Sequence, residues 1–546
     1  MCVAVMVPSL CSVNMLLAVL MLVSWTTSAW SDNLSGLYMN VDEVGFESRE
    51  QVENVLNFAQ QTMTAVKDVM DKQNMETVSG LLKGLSNFAN VVPFIGPMFA
   101  CANMLMAFVP QHDPVMQEIK EGFTEVNRKL DSLSIQVSNL ATDVEWFTYA
   151  NVYSQDEVRI LNAWKKYERF FKDRNSNDIS YLAKVFVNYY EYTQVEASVE
   201  NLYHYLTVRD TSLSESLNNL LRKKFKCDLK KILNYNFYFS SLLMKGISLN
   251  NFYWKLIGYN TTEIEVEHIQ MFKNVFAAQS EVVDFCLNNH AQYVLEDVVE
   301  IAKLVSSNNM QGIADKVKGF LDDKYDWYKW VVVVYKKSRE SGEYIFVYDT
   351  MTKIPVNADL IVAVAYTQKA DIDRDELEIL NKAFSRCVRE YIWICKNIEK
   401  YHIIEYPTGF ELTFEHYVKI THSTYNKYYF AETPAPNLTL NCNINSYQYK
   451  TALHYSKTLP TPCNTKCKNN ARCKRLLDSR EALCECRDGF YGETCESKID
   501  TNMMTDIEKL HLPIVKTTSA RLANIEYKLN EILNKIQGQY EFGSTL

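Results

Sequence analysis

The sequence predicts a mainly α fold. It has an N-terminal helical bundle with a long central apolar helix, then a smaller mixed, β-rich domain, a disulfide-rich module and a C-terminal helical tail. Three observations predict it. Gly numbers 16 and Pro 12 in 546 residues, against roughly 38 and 27 at average usage, too few turn formers for an all-β chain. Apolar residues recur at steps of three and four over long stretches, the helical period. Six of the 14 Cys fall between Cys463 and Cys495. Hydrophobic residues at 47% and charged residues at 23% exclude a mainly disordered chain. A net charge of −9 lacks the basic excess of a nucleic-acid binder, so no nucleic acid is expected as a partner.

Residues 1–29 read as a signal peptide. No Lys, Arg, Asp or Glu precedes Asp32, and Met15 to Val23 is a short apolar run followed by small residues. The run is too short to span about 30 Å of hydrocarbon comfortably. Removing Cys2 and Cys11 leaves twelve Cys, an even number suited to disulfides in an exported chain. Asn33, Asn260 and Asn437 each open an N-glycosylation triplet, and so are the glycosylation candidates.

Residues 30–325 form the expected helical domain, with helical patterning clearest from Val41 to Ser307. Ser48 with Gln51 is a capping box ahead of Val52, Val55, Ala59, Met63, Val66 and Met70. Met116, Ile119, Phe123, Val126, Leu130, Leu133, Val137, Leu140, Val144 and Phe147 make a heptad seam, about 48 Å long if wholly helical. Ser154 with Glu157 repeats the capping signal before Leu161, Trp164 and Phe171.

Residues 326–459 are the mixed, β-rich domain. Trp330 to Tyr335 is β-branched and short, Lys336 to Glu343 reads as a hairpin loop, Tyr344 to Tyr348 pairs back, and Leu360 to Tyr366 is a third strand. Helix signals return from Asp371 to about Tyr401, and Tyr401 to Leu459 reads as short strands and loops. Residues 497–546 form a helical, coiled-coil-like tail with a second seam at Leu522, Ile525, Leu529, Ile532 and Ile536.

Residues 460–496 carry the pattern C-x3-C-x5-C-x10-C-x-C-x8-C, from Cys463 through Cys467, Cys473, Cys484 and Cys486 to Cys495. So short a segment cannot bury enough apolar surface to fold without crosslinks. The spacing resembles the epidermal-growth-factor-like (EGF-like) domain. The resemblance implies the pairs Cys463–Cys473, Cys467–Cys484 and Cys486–Cys495. Leu459 to Pro462 holds no carboxylate and Arg472 precedes the third Cys, so neither bound calcium nor O-fucose is expected. A spacer or protein-contact role remains.

Between Lys83 and Asp113 no residue is formally charged. The stretch Ala89 to Val109 has the length of a membrane helix. Its eight Val, Ile, Leu and Phe residues contribute roughly −4 kcal/mol toward insertion, which Pro93, Pro97, Asn90 and Asn103 largely offset. Two structures fit: a helix buried in a bundle, the commoner outcome, or one sheltered in water and released into lipid on a trigger. Val92, Phe94, Ile95, Phe99, Met104, Leu105 and Phe108 are the membrane-segment candidates. Pro93 and Pro97 suit a helix entrance.

The segments Val92-Pro93-Phe94-Ile95-Gly96-Pro97 and Glu118 to Leu133 resemble the cephalotoxin-like family of secreted invertebrate proteins, similar in plan to box-jellyfish toxins. The resemblance implies a membrane-acting, pore-forming helical domain. Family members also occur in mineralised extracellular matrices, so a structural or adhesive matrix component is the alternative. Expected partners are membrane lipid or a cell-surface receptor, or matrix proteins, with self-association through the seams. The expected location is extracellular, in venom or matrix.

No nucleotide, hydrolase or zinc-protease motif is present, so neither an enzyme nor a cofactor is expected. Asp371, Asp373 and Asp375 imitate an EF-hand start, but Glu376 and Lys382 stand where Gly and Glu belong. His416 and His422 are the nearest His pair in the β-like region and too weak a signal for metal ligands. Arg222 to Lys231 reads as a solvated basic helix face.

Overall fold

The computed structural model describes residues 46–71, 76–106, 114–140, 144–172, 176–208, 216–259, 261–339, 345–347, 351–369, 374–375, 377–378, 381, 402–405, 410–413, 417–425, 431–444, 447–457 and 467–499 apart from 478 and 480. The signal peptide, Asn33, Asn260, His416, most of the Asp371–Tyr401 helix signal and the tail seam lie outside the described residues.

Among the described residues, eleven α-helices come first: α1 Phe46–Asp71, α2 Val78–Met106, α3 Pro114–Leu140, α4 Val144–Lys172, α5 Ser176–Thr193, α6 Val195–Thr207, α7 Leu217–Lys224, α8 Leu229–Leu256, α9 Thr262–Asn288, α10 His290–Lys303 and α11 Met310–Lys324. No helix among the described residues is long and apolar enough to cross a membrane.

The helix at the centre is α8, not the apolar stretch. Nearly every residue from Tyr235 to Phe252 is buried. Its sequence reads as half polar, and several of its Ser and Asn side chains bond inside the fold. Ser241 and Ser248 donate to the carbonyls of Phe237 and Met244, and Asn250 accepts from the Tyr190 hydroxyl at 2.7 Å. A buried polar group bonded in this way loses little on desolvation. Phe252 meets Tyr167, Phe170 and Phe186 edge-on at centroid distances of 4.9–5.1 Å.

The heptad seam divides between two helices. Ile119, Phe123, Val126, Leu130, Leu133 and Val137 are buried along α3, whereas Val144 and Phe147 belong to α4. A heptad pattern measures period, so it does not show where one helix ends and the next begins. Ser154 does not cap a helix. It sits ten residues inside α4, and its hydroxyl donates to the Asn151 carbonyl at 3.2 Å. Glu157 instead accepts from the Tyr238 hydroxyl. Ser48 likewise lies inside α1, which already runs at Phe46.

The basic stretch at 222–231 pairs within the fold. The Arg222 guanidinium lies 4.2 Å over the Phe285 ring, and Lys230 reaches Asp323 at 2.7 Å. Within it, Lys226 and Cys227 both take left-handed conformations, at φ 46° and 58°, which cost roughly 1–2 kcal/mol per residue. Cys227 is bonded to Cys286, closing a 59-residue separation across the α7–α8 turn and α9. Loop closure of that length stabilises by about 4 kcal/mol in the chain-entropy model. Replacing both by Ser is expected to lower unfolding stability by about 2–4 kcal/mol, read from the urea midpoint of purified protein.

Two four-stranded antiparallel sheets follow among the described residues. The first has the order β3 (Thr352–Pro355), β4 (Leu360–Gln368), β1 (Tyr328–Lys336), β8 (Ala431–Thr433). The second has the order β2 (Ile345–Val347), β7 (Tyr417–Tyr425), β10 (Tyr447–Lys457), β9 (Leu438–Ile444). A separate hairpin joins β5 (His402–Glu405) to β6 (Phe410–Thr413). One face of the first sheet, with Trp330, Val332, Val334, Val362 and Val364, joins the helical core. The other, with Val331, Val333, Tyr335, Ile361 and Ala363, meets Ile420 of the second sheet. A strand covered on both faces reads as a continuous apolar run, which explains Val331 to Val334.

Within the segment Tyr344 to Tyr348, the described residues Ile345–Val347 do not pair back on that run. Strand β1 pairs with β4 over nine residues, Tyr328 to Lys336 against Gln368 to Leu360. Ile345 to Val347 pairs with Thr424 to His422 instead. A nine-residue ladder satisfies more backbone groups than a local three-residue hairpin, so the distant partner wins.

Residues 467–499 hold two small hairpins, β11 (Arg472–Arg475) with β12 (Ala482–Glu485) and β13 (Phe490–Tyr491) with β14 (Ser497–Lys498). Cys467 is bonded to Cys484 and Cys486 to Cys495. Cys473 is also disulfide-bonded, while Cys463 lies outside the described residues. Tyr491 and Ile499 are buried in the helical core.

Candidate functional site: the sheltered apolar helix

Helix α2 begins where two oxygens accept its first free N–H groups. The Asp326 carboxylate accepts from Val78 N–H at 3.2 Å and the Thr77 hydroxyl from Gly80 N–H at 3.1 Å, an N-cap arrangement. The helix therefore starts fifteen residues before Pro93. Pro93 and Pro97 sit in its interior, not at its entrance. An interior proline removes an i→i−4 hydrogen bond and costs about 3 kcal/mol, so packing must hold this helix together.

That packing is one-sided and continuous. Val78, Leu81, Leu85, Phe88, Val91, Val92, Ile95 and Met98 are all at most 3% exposed. Phe88 meets Phe237 of α8 in a tilted pair at 5.0 Å between ring centroids and Phe272 of α9 edge-on at 6.1 Å. Gly96 lies tight against α8: a Cβ there would lie 3.0 Å from Asn251 Nδ2 and 3.4 Å from Ile247 Cγ2. Of the membrane-segment candidates, Val92 and Ile95 are buried and Phe94 is half-buried. The side chains of Phe99, Met104 and Leu105, and the whole of Phe108, lie outside the described residues.

Beside Val92 and Pro93 is a narrow crevice walled by Ile247, Asn251, Glu265, His268, Ile269 and Phe272. His268 is buried and donates from Nδ1 to Asn251 Oδ1 at 2.9 Å. Burial pushes its imidazole down to about 4, against a smaller opposing pull from Glu265. Glu265 is tied to Lys255 of α8 at 2.7 Å, with both side chains buried. Deeper in the bundle, Lys245 of α8 lies 5.5 Å from the Trp164 ring centre and 3.9 Å from Asp131, and desolvation holds its ammonium below the usual lysine range.

The cysteine-rich hairpins lie over this helix. Glu481 pairs with Lys83 of α2 at 3.3 Å, Asp488 with Lys273 of α9 at 2.8 Å, and the Lys498 carbonyl accepts from Gln61 of α1 at 2.6 Å. Asn437 is exposed at the start of β9.

Sequence reasoning missed one cluster. His422 faces His454, with Nε2 atoms 3.2 Å apart, and Glu432 approaches from the other sheet. The three are separated by 10 and 22 positions along the chain, so no short motif reveals them. Only the alternation of His422 and His454 onto inward strand faces was available as a signal.

The chain that builds this helical bundle, its two sheets and its disulfide-bonded hairpins is similar to a known family domain and to a curated protein. Residues 110–307 match the cephalotoxin-like middle helical domain, running from just after α2 to the end of α10. The chain is 21% identical over 452 residues to SE-cephalotoxin of Acanthosepion esculentum, a match covering 78% of this chain and 41% of that protein. It thus spans about two fifths of the length of that curated relative. The cephalotoxin-like family is therefore the one to which the resemblance of this sequence points. No solved structure matches the chain.

Proposed function

We propose that this chain is a secreted, non-enzymatic, membrane-perturbing toxin in which α2 is stored against α8 and transferred to lipid. The observation that carries the reading is the buried stripe from Val78 to Met98 on a helix whose sequence is uncharged from 84 to 112. The similarity to SE-cephalotoxin supports it. Two interior prolines make α2 costly as a free helix, and in a bilayer neighbouring groups can satisfy the bonds they free. The partner is a lipid bilayer. The residues 467–499 act as an EGF-like clasp on the bundle, and Asn437 carries a glycan.

A crosslink tests this directly. A Cβ at position 96 lies 3.9 Å from Ser248 Cα, within reach of a disulfide. The variant Gly96→Cys/Ser248→Cys, oxidised, is expected to lose dye release from lipid vesicles at least tenfold and to regain it on mild reduction. Equal leakage in both states would place the lipid-active surface elsewhere. No leakage from the unmodified protein would remove the membrane reading altogether.

A further inference from the structure

The two sheets converge on one point that the membrane reading does not use. His422 of β7 is registered opposite Ala452 of β10, so His454, two residues on, projects from the same face of the sheet. Glu432 of β8 is registered opposite Val333, whose side chain belongs to the core between the sheets. Glu432 therefore enters the same space from the opposite sheet. His422 Nε2 lies 3.2 Å from His454 Nε2 and 3.4 Å from Glu432 Oε2, and the three ligand atoms are all within 4.8 Å of one another.

These distances have a chemical meaning. A tetrahedral zinc ion with bonds of about 2.0–2.1 Å holds any two of its ligand atoms roughly 3.3–3.4 Å apart. Both of these edges fall close to that value. Two imidazole nitrogens and one carboxylate suit zinc and related transition ions, and do not suit calcium or magnesium, which take oxygen ligands. Strand pairing fixes both His backbones. Glu432 is the adjustable member, with 19% of its side chain exposed, and a small rotation brings its oxygen to the third edge.

We infer that His422, His454 and Glu432 form a binding site for a divalent transition cation of the zinc type, clamping one sheet to the other. The fourth tetrahedral position is left to water. Two cations oppose the incoming charge. Lys450 holds Glu432 Oε1 at 3.2 Å, but its side chain is half-exposed and can turn to solvent. Lys329 acts on His454 from β1. A shared proton between the two imidazoles is the competing use of the same contact.

The test uses the untagged full chain. After equilibration with zinc and gel filtration, about one ion per chain is expected to remain. Cobalt substituted for zinc is expected to give the intense visible absorption of a tetrahedral site. Glu432→Gln leaves both imidazoles in place and is expected to weaken binding at least about tenfold, and His454→Gln more so. Circular dichroism confirms folding in each case. If His454→Gln fails to fold, Glu432→Gln, whose side chain is partly exposed, decides the matter alone. A wild-type chain that retains no zinc, or a Glu432→Gln chain that binds it as tightly as wild type, overturns the site and leaves the shared proton.

Discussion

Lys324→Met is expected to cost about 3–5 kcal/mol of folding stability. Lys324 closes α11 and donates to Asp297 of α10 at 2.6 Å, and both side chains are only 4% exposed. The Tyr325 hydroxyl donates to the same carboxylate oxygen at 2.8 Å. Burial already pushes the Asp297 carboxyl above its usual range, and Lys324 is the main force opposing it. Removing the ammonium leaves a buried carboxylate facing one hydroxyl. The position magnifies the effect. Tyr325 leads into β1, and its carbonyl accepts from the Trp330 indole at 3.3 Å, so this cluster joins the bundle to the first sheet. The double variant Asp297→Leu/Lys324→Met is expected to recover most of the loss, because replacing a whole buried pair costs little. Urea titrations of the wild type and the variants check both statements. A single variant within about 1 kcal/mol of wild type would mean that water reaches the pair.

The second large effect is with acid. His268 falls from its ordinary 6.5 to about 4 in the fold. Between those values the unfolded chain binds a proton that the folded chain refuses, so stability drops as pH falls from about 6.5 to about 4. The full contribution is about 3 kcal/mol, present above pH 6.5 and lost by pH 4. His422 and His454, held at about 3 and about 4 chiefly by burial, act in the same direction. The buried Asp297 and Asp326 carboxyls, both pushed upward by burial, act the other way. His268→Gln isolates the one group beside α2: it is expected to flatten the wild-type loss between pH 7 and 4.5 by about half or more of that 3 kcal/mol. Glu265 on its own helix and Lys255 on α8 are the charges facing His268, so their pair must stay intact for the comparison. A slope unchanged in His268→Gln would show that this imidazole does not govern acid sensitivity.

Much of the architecture was legible from periodicity. The faces of α1 and α3 could be read from Ala59, Met63 and Val66, and from Ile119 through Val137, because burial selects residue types at a fixed step. Composition misled where bonding is internal. The polar Ser and Asn of α8 hid the helix at the centre, and Pro93 and Pro97 looked like a beginning because local propensity cannot see α8 and α9 holding the chain helical. Ser154 carried a capping signature that tertiary packing ignored. The pairing of β2 with β7 and the meeting of His422 with His454 both depend on contacts distant in sequence, about which neighbouring residues hold no information.

The bond between Gln61 and the Lys498 carbonyl spans 437 positions of sequence. At a synthesis rate of about 5–20 residues per second, the first helices wait roughly 20–90 s for the hairpins that seat on them. During that interval the helical core lacks Tyr491 and Ile499, the last side chains to join it.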